Sequence, residues 1–270
     1  MKEWSVAEGW MSILNLSAGT NLEEILGLDK NNIITSIGAG GKTSLLYYLA
    51  RRLANVGYRV LLTTTTRIYY LVDDQDRFVA GDTYDLWLKR LERRIGGGQF
   101  LVAGRRVEKN KIIGVPPEWV DNLKDNEIFD FILVEGDGSA RKPLKAPAEH
   151  EPVIPRATDL LLPVIGLTAL HRPLNSENVH RLELFQQITN SLPESIITIK
   201  DIYDIYTDKR GYDLLTLKDF YQINIIVNQV DNYPLEVKGA RLADLFLQAS
   251  FSQVILTCFQ KSQIIRRICR

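Results

Sequence analysis

The chain has 270 residues, 45% of them hydrophobic and 24% charged, with 33 Lys+Arg against 33 Asp+Glu. That balance excludes the global field that draws a protein to nucleic acid or an anionic membrane, and no run approaches the roughly 18 apolar residues of a membrane span. Cys258 and Cys269 show neither metal-ligand spacing nor a disulfide framework, so composition points to a cytoplasmic α/β protein.

The first 20 residues are broken by Glu3 and Glu8 and lack the apolar core of a signal peptide. Asn21 stands as the N-cap of a short helix through Leu28. "NIITSI" reads as a buried strand. Leu45, Leu49, Leu53 and Val56 recur at helical spacing from Thr43 onward, and Gly57 ends that run. "YRVLLTTTT" is a second buried strand. Strand, glycine loop, helix and strand make a βαβ unit, which requires a parallel sheet.

Further along, Asp82 is expected to cap a helix over 83–95, and the glycines at 96–98 break it before the strand "QFLVA". "PPEWVDNL" places proline at a helix start, and "FDFILVEG" is another buried strand. Residues 136–158 hold four prolines and five basic side chains, counting His150, a length of irregular chain that idle connections seldom have. "DLLLPVIG" returns to strand. Ser176 is expected to cap a helix to Thr189, and Thr198 with Asp201 forms a capping-box pattern. "QINIIVNQVD", "EVKGARLADLFLQA" and "SQVILTCF" follow as strand, helix and strand. The pattern predicts an α/β, P-loop NTPase-like fold, a mainly parallel sheet flanked by helices. It is read as one domain over 1–270, with 1–30 an N-terminal extension and 260–270 a C-terminal tail.

The chemistry begins at "GAGGKTS". The full phosphate-loop signature G-x-x-x-x-G-K-[ST] has Ser36 where its first glycine belongs, but Gly38, Ala39, Gly40, Gly41, Lys42, Thr43 and Ser44 keep the shorter form. Backbone N–H groups at a helix start form an anion nest, Lys42 adds a mobile positive charge, and Thr43 offers a hydroxyl to Mg²⁺. Thr65 and Thr66 end the second strand, where open α/β sheets bind ligands. Glu135 and Asp137 end a later strand; either would hold Mg²⁺ or orient an attacking water, and with Lys42 they are the catalytic candidates. Arg141, Lys142 and Lys145 suit a second anionic group. In "NQVD", Asn228 and Asp231 have the spacing of a guanine-reading turn, with Gln229 where lysine is usual. An ordinary polar turn explains that stretch equally well, so the nucleoside triphosphate is GTP or ATP. His150, His171 and His180, read as loop, loop and helix, lack metal-ligand spacing.

In this order "GAGGKTSL", "TTTTRI", "VEGDGSARKPLKAPAEHEPVIP", "GLTALHRPLNSENVHR" and "VNQVD" resemble the YqeC family, over about residues 33–257. The chain departs from the family pattern at Gly136, His171 and Gln229, where alanine, glycine and lysine are expected. The resemblance implies an accessory protein in the maturation of selenium-dependent molybdenum hydroxylases, with a molybdenum hydroxylase or its cofactor as partner. The residues themselves support a nucleotide- and Mg²⁺-dependent protein, either an assembly factor with slow NTP hydrolysis or a small-molecule kinase or ligase.

Overall fold

The computed structural model describes residues 21–28, 32–70, 75–261 and 263–270; the expectation for residues 1–20 lies outside them. The first half runs α1 (Leu22–Ile25), β1 (Asn32–Gly38), α2 (Lys42–Asn55), β2 (Val60–Thr64), β3 (Arg67–Tyr69), β4 (Phe78–Ala80) and α3 (Tyr84–Arg94). Then come β5 (Phe100–Gly104), β6 (Arg106–Glu108), β7 (Lys111–Ile113), α4 (Pro117–Asp121) and β8 (Phe131–Glu135). The second half holds β9 (Leu144–Lys145), β10 (Leu160–Gly166), β11 (Val179–His180), α5 (Leu182–Thr189) and α6 (Ile199–Thr207). It closes with α7 (Leu214–Leu217), β12 (Gln222–Ile223), β13 (Ile225–Asn228), α8 (Tyr233–Gln248), β14 (Val254–Thr257) and β15 (Ile265–Cys269).

The main sheet has the order β15-β14-β13-β10-β1-β8-β2-β5-β4, with β12 also pairing β10. All its pairings are parallel except β14 with β15. The α/β expectation therefore holds: a mainly parallel sheet lies between helices, and β1, the glycine loop and α2 follow one another at its centre. Successive side chains explain the layers, because strand residues alternate between faces. Leu160, Leu162 and Val164 of β10 pack with Leu45, Leu49 and Leu53 of α2. Leu161 and Ile165 point the other way, into a cluster with Phe185, Ile202 and Phe246 of α5, α6 and α8. A third cluster, around Trp87 of α3 and Val120 of α4, covers Ile33, Leu61 and Ile132. Each such side chain contributes about 1.5–3 kcal/mol when fully buried.

Several expectations change in detail. Val56 is 66% exposed rather than buried, since α2 ends one residue before it. Thr83, not Asp82, caps α3 by accepting the Leu86 N–H. The helix expected from Ser176 begins only at Leu182, because Val179 and His180 pair with Leu144 and Lys145 as β11; His180 is thus in a strand. The capping box of Thr198 and Asp201 is present. "YRVLLTTTT" splits, with Thr64 ending β2 and Arg67 opening β3 in a small antiparallel sheet of order β3-β7-β6. Residues 260–270, expected as a tail, contain β15 at the sheet edge.

Candidate functional site

Strand β1 runs between β8 and β10, and its carboxyl end delivers the chain into Ala39, Gly40 and Gly41 before α2 starts at Lys42. Ser36 is inside β1, paired with Glu135 and Leu162, so the missing signature glycine falls in strand rather than loop. Gly40 is required here. Its φ is +86°, and a Cβ would stand 2.2 Å from the Gly166 Cα. The N–H of Ala39 donates to the Val164 carbonyl, and the next bonded N–H in the turn is that of Leu45, to Gly41. Among the described residues the N–H groups of Gly40 to Ser44 have no partner, which leaves five donors at the start of a 14-residue helix.

Lys42 does not extend into solvent as a mobile charge. It is 2% exposed, and its Nζ donates to the Gly38 carbonyl at 2.6 Å, with Asp137 at 3.2 Å and Glu135 at 3.7 Å. Burial works against its charge, but Asp137 and then Glu135 outweigh that and raise its pKa. The Thr43 hydroxyl donates to Glu135 Oε2 at 2.8 Å. Burial pushes the Glu135 carboxyl up, against the pull of Lys42 and that hydroxyl.

The two carboxylates after β8 have different settings. Glu135 lines an open cleft of about 1100 Å³ together with Gly41, Thr43 and Ser44. Asp137 is 0% exposed beneath the loop, where it accepts from the Gly38 N–H, from the Tyr212 hydroxyl at 2.7 Å and from Lys42, with Lys145 at 2.9 Å. With those donors around it, Asp137 is fully enclosed and does not line the cleft, whereas Glu135 does. Lys145, read as a substrate contact, is likewise at 0% side-chain exposure, donating to Gly138 and to Glu151 at 2.6 Å. Glu151 also takes Arg181 at 2.6 Å. Although burial raises it, the Arg181 and Lys145 hydrogen bonds win and hold the Glu151 carboxyl down to about 2. Burial lowers the His180 pKa, and Arg181 and Lys145 lower it further.

Thr65, Thr66, Arg141 and Lys142 do reach the cleft. The Thr65 hydroxyl donates to the Val153 carbonyl at 2.7 Å, tying β2 to the long 136–158 segment. Asn228 is 4% exposed, donates to the Gly40 carbonyl at 2.7 Å and accepts from Thr257, so it fastens the loop from behind. Gln229 lines the cleft instead. Asp231 is exposed and accepts from the Cys258 thiol at 3.0 Å. Sequence reading missed Glu151, Arg181 and Tyr212, which share the network under the loop, and Tyr48 with Phe259, whose rings are 5.7 Å apart at the cleft wall. Among the described residues there is no cluster of three His, Cys, Asp or Glu placed for a metal, and no helix is long and apolar enough to cross a membrane.

The three departures from the family pattern have local consequences. His171 has φ +64°, a left-handed conformation that glycine takes without strain. A Cβ at Gly136 would meet Ile37 and Thr35 methyls at 3.1 Å, and Gln229, at φ +65°, accepts from the Thr168 hydroxyl. Comparison with known proteins adds three findings. The YqeC protein family matches residues 34–183. The Escherichia coli (strain K12) protein described as uncharacterized protein YqeC is 36% identical over 187 residues, which cover 69% of this chain and 72% of that one. A chain of the MinC:MinD cell division protein complex of Aquifex aeolicus superposes with a TM-score of 0.42 and 18% identity over 83% of this chain and 81% of that one, a likeness too low to carry an argument. The family match spans the glycine loop, both strand-end carboxylates and the long basic segment that build this cleft, and the chain belongs to the YqeC family.

Proposed function

We propose that the cleft binds a nucleoside triphosphate with Mg²⁺. The observation that carries this reading is the row of N–H groups from Gly40 to Ser44 at the start of α2, without a partner among the described residues, lining the cleft and backed by Lys42. Thr43 and Glu135, already 2.8 Å apart, would hold the metal. Two protein oxygens fit Mg²⁺, which keeps several waters and takes its other ligands from phosphates. When bound, the ion neutralises charge on the phosphate oxygens. Lys42 leaves Gly38 for the phosphate, Asp137 keeps its ammonium charged and aimed, and Asn228 holds the loop closed. Asp137 is thus a positioning residue and Glu135 the metal carboxylate.

Base recognition falls to the turn after β13. Asp231 accepts the guanine N1–H and amino protons, Gln229 replaces the usual lysine stem, and the Tyr48–Phe259 pair offers an aromatic wall. Within the YqeC family the wider reading is an accessory step in maturation of selenium-dependent molybdenum hydroxylases, with nucleotide turnover gating contact with the client enzyme or its cofactor. A small-molecule kinase or ligase is the second reading, favoured by the size of the cleft.

The test is calorimetry with ATP, CTP, GTP and XTP, with and without Mg²⁺. Lys42→Ala is expected to weaken triphosphate binding by about 2–4 kcal/mol. Glu135→Gln should abolish the Mg²⁺ contribution and slow any hydrolysis more than it weakens binding. Equal affinity in a folded Lys42→Ala protein removes the nucleotide reading. A parent that prefers ATP or CTP removes Asp231 as a guanine reader.

A further inference from the structure

The cleft is chemically lopsided, and the strand order says how. The nest lies at the end of β1. After β13 and β14 it is lined by Gln229, Phe259 and Gln260, and elsewhere by Arg51 and Arg52 of α2 and by Glu151 with Arg181. Across β8 and β2 its wall is cationic: Arg67 opens β3, Lys111 opens β7, and Arg141 and Lys142 come from the loop after Asp137. These last four side chains line the same cleft as Thr43 and Glu135.

Their arrangement is specific. The Tyr69 ring carries the Arg141 guanidinium at 3.9 Å from its centroid and the Lys111 ammonium at 5.0 Å. Arg141 is held at φ +61° directly after Ala140 at φ +49°, two consecutive left-handed residues that are not glycine. Among the described residues none of the four has a carboxylate within ion-pair distance. Glu108, opposite Lys111 in the hairpin register, is already bonded to Arg106 at 2.5 Å. Holding two like charges on one ring, with two more lining the same cleft and no carboxylate at ion-pair distance among the described residues, costs free energy. It is offset when an anion arrives. A pocket of about 1100 Å³ also sits at the upper end of the range for small-ligand sites, with room beside a nucleotide.

We propose that Arg67, Lys111, Arg141 and Lys142 form a subsite for a second small molecule bearing a phosphate-like dianion, placed beyond the terminal phosphate of the nucleotide. Lys145 is not part of it, because its charge is spent on Asp137 and Glu151. This rests on the nucleotide reading only for the neighbour it names, since the cationic wall stands independently of the nest.

The experiment uses inorganic pyrophosphate as probe, in calorimetry on the parent, on Lys42→Ala and on the double variant Lys111→Ala/Arg141→Ala, each with and without saturating non-hydrolysable GTP and ATP analogues. Both rim positions are partly solvent-facing, and a melt confirms that the double variant folds. The expected result is that the parent with its nest filled still binds pyrophosphate, and that the double variant binds it at least tenfold more weakly with unchanged nucleotide affinity. If no nucleotide binds but pyrophosphate binding still depends on Lys111 and Arg141, the subsite stands and the nucleotide reading falls. If nucleotide binds and pyrophosphate is excluded by it, or if the double variant retains parent affinity, the subsite is overturned.

Discussion

Two groups of charges stand within one site and follow opposite rules. Under the loop, the three cations Lys42, Lys145 and Arg181 are matched by the three carboxylates Glu135, Asp137 and Glu151, in a chain of contacts from 2.6 to 3.7 Å. At the rim, Arg67, Lys111, Arg141 and Lys142 are matched by none among the described residues, and Lys111 and Arg141 share one tyrosine ring. Charge taken out of water must be paired or it neutralises itself, whereas charge left in water can wait for a ligand. The pairing itself therefore separates charges fixed in a network, of which Lys42 and Glu135 also border the cleft, from rim charges that have no partner of their own among the described residues.

The strongest way to break this contrast is at Asp137. Asp137→Asn keeps the volume but leaves three cations, the buried Lys42 and Lys145 and the half-buried Arg181, against two carboxylates, with Lys42 relying on Glu135 at 3.7 Å. The expected loss is about 3–5 kcal/mol of folding stability by urea titration. Adding Lys145→Met to Asp137→Asn restores the charge balance and should recover part of that loss, a coupling that two independent sites would not show. A single variant as stable as the parent would mean that the network does not hold the fold.

This contrast was only half legible in the sequence. "GAGGKT" between an apolar strand and a helical period announces its nest, and "FILVEGDG" places two carboxylates at a strand end. Spacing cannot say that Glu135 turns to the cleft while Asp137 turns under the loop, because the difference is made by Tyr212 and Lys145, which contact Asp137 from other parts of the chain. Nor do Glu151 and Arg181, 30 residues apart, announce their bond. The three-residue strands β3, β6 and β7 are too short for alternation to register. Their hairpin turn at Lys109 and Asn110, both at positive φ, uses a lysine where glycine would have flagged it. Without that hairpin nothing in the sequence brings Arg67 and Lys111 into one small sheet, and adjacency alone groups Lys145 with Arg141 and Lys142.

A smaller effect sharpens the contrast through pH. The Glu151 carboxyl is held down to about 2 by Arg181 and Lys145, against an unfolded value near ~4.5. A lowered folded pKa contributes stability that is fully present above the unfolded pKa and is lost as pH falls through the folded one. Glu151→Gln should thus cost on the order of 2 kcal/mol at pH 7, allowing for partial solvent screening. The gap between parent and variant should close between about pH 4.5 and pH 2. A gap that stays constant over that window would show that Glu151 acts by shape rather than charge.

The smallest effect is expected at the rim, and its smallness is the point. Arg141→Ala removes a guanidinium from the Tyr69 face, a contact 3.9 Å from the ring centroid that is worth about 0.5–1 kcal/mol at an exposed position. It also removes one of the two cations on that ring, and relief of the repulsion with Lys111 returns a few tenths of a kcal/mol. The left-handed backbone at residue 141 stays strained with alanine as with arginine, so it cancels. The net change in stability should lie within about 0.5 kcal/mol, roughly a tenth of that at Asp137. Salt supplies a further sign: raising ionic strength screens exposed charge within about 8–10 Å but leaves buried pairs nearly untouched. The stability gap between Arg141→Ala and the parent should therefore drift with salt, while the gap for Asp137→Asn holds. Urea titrations of the three proteins at low and high salt measure both. A loss beyond about 1.5 kcal/mol in Arg141→Ala would make the rim part of the fold, and the division between holding charges and waiting charges would fail.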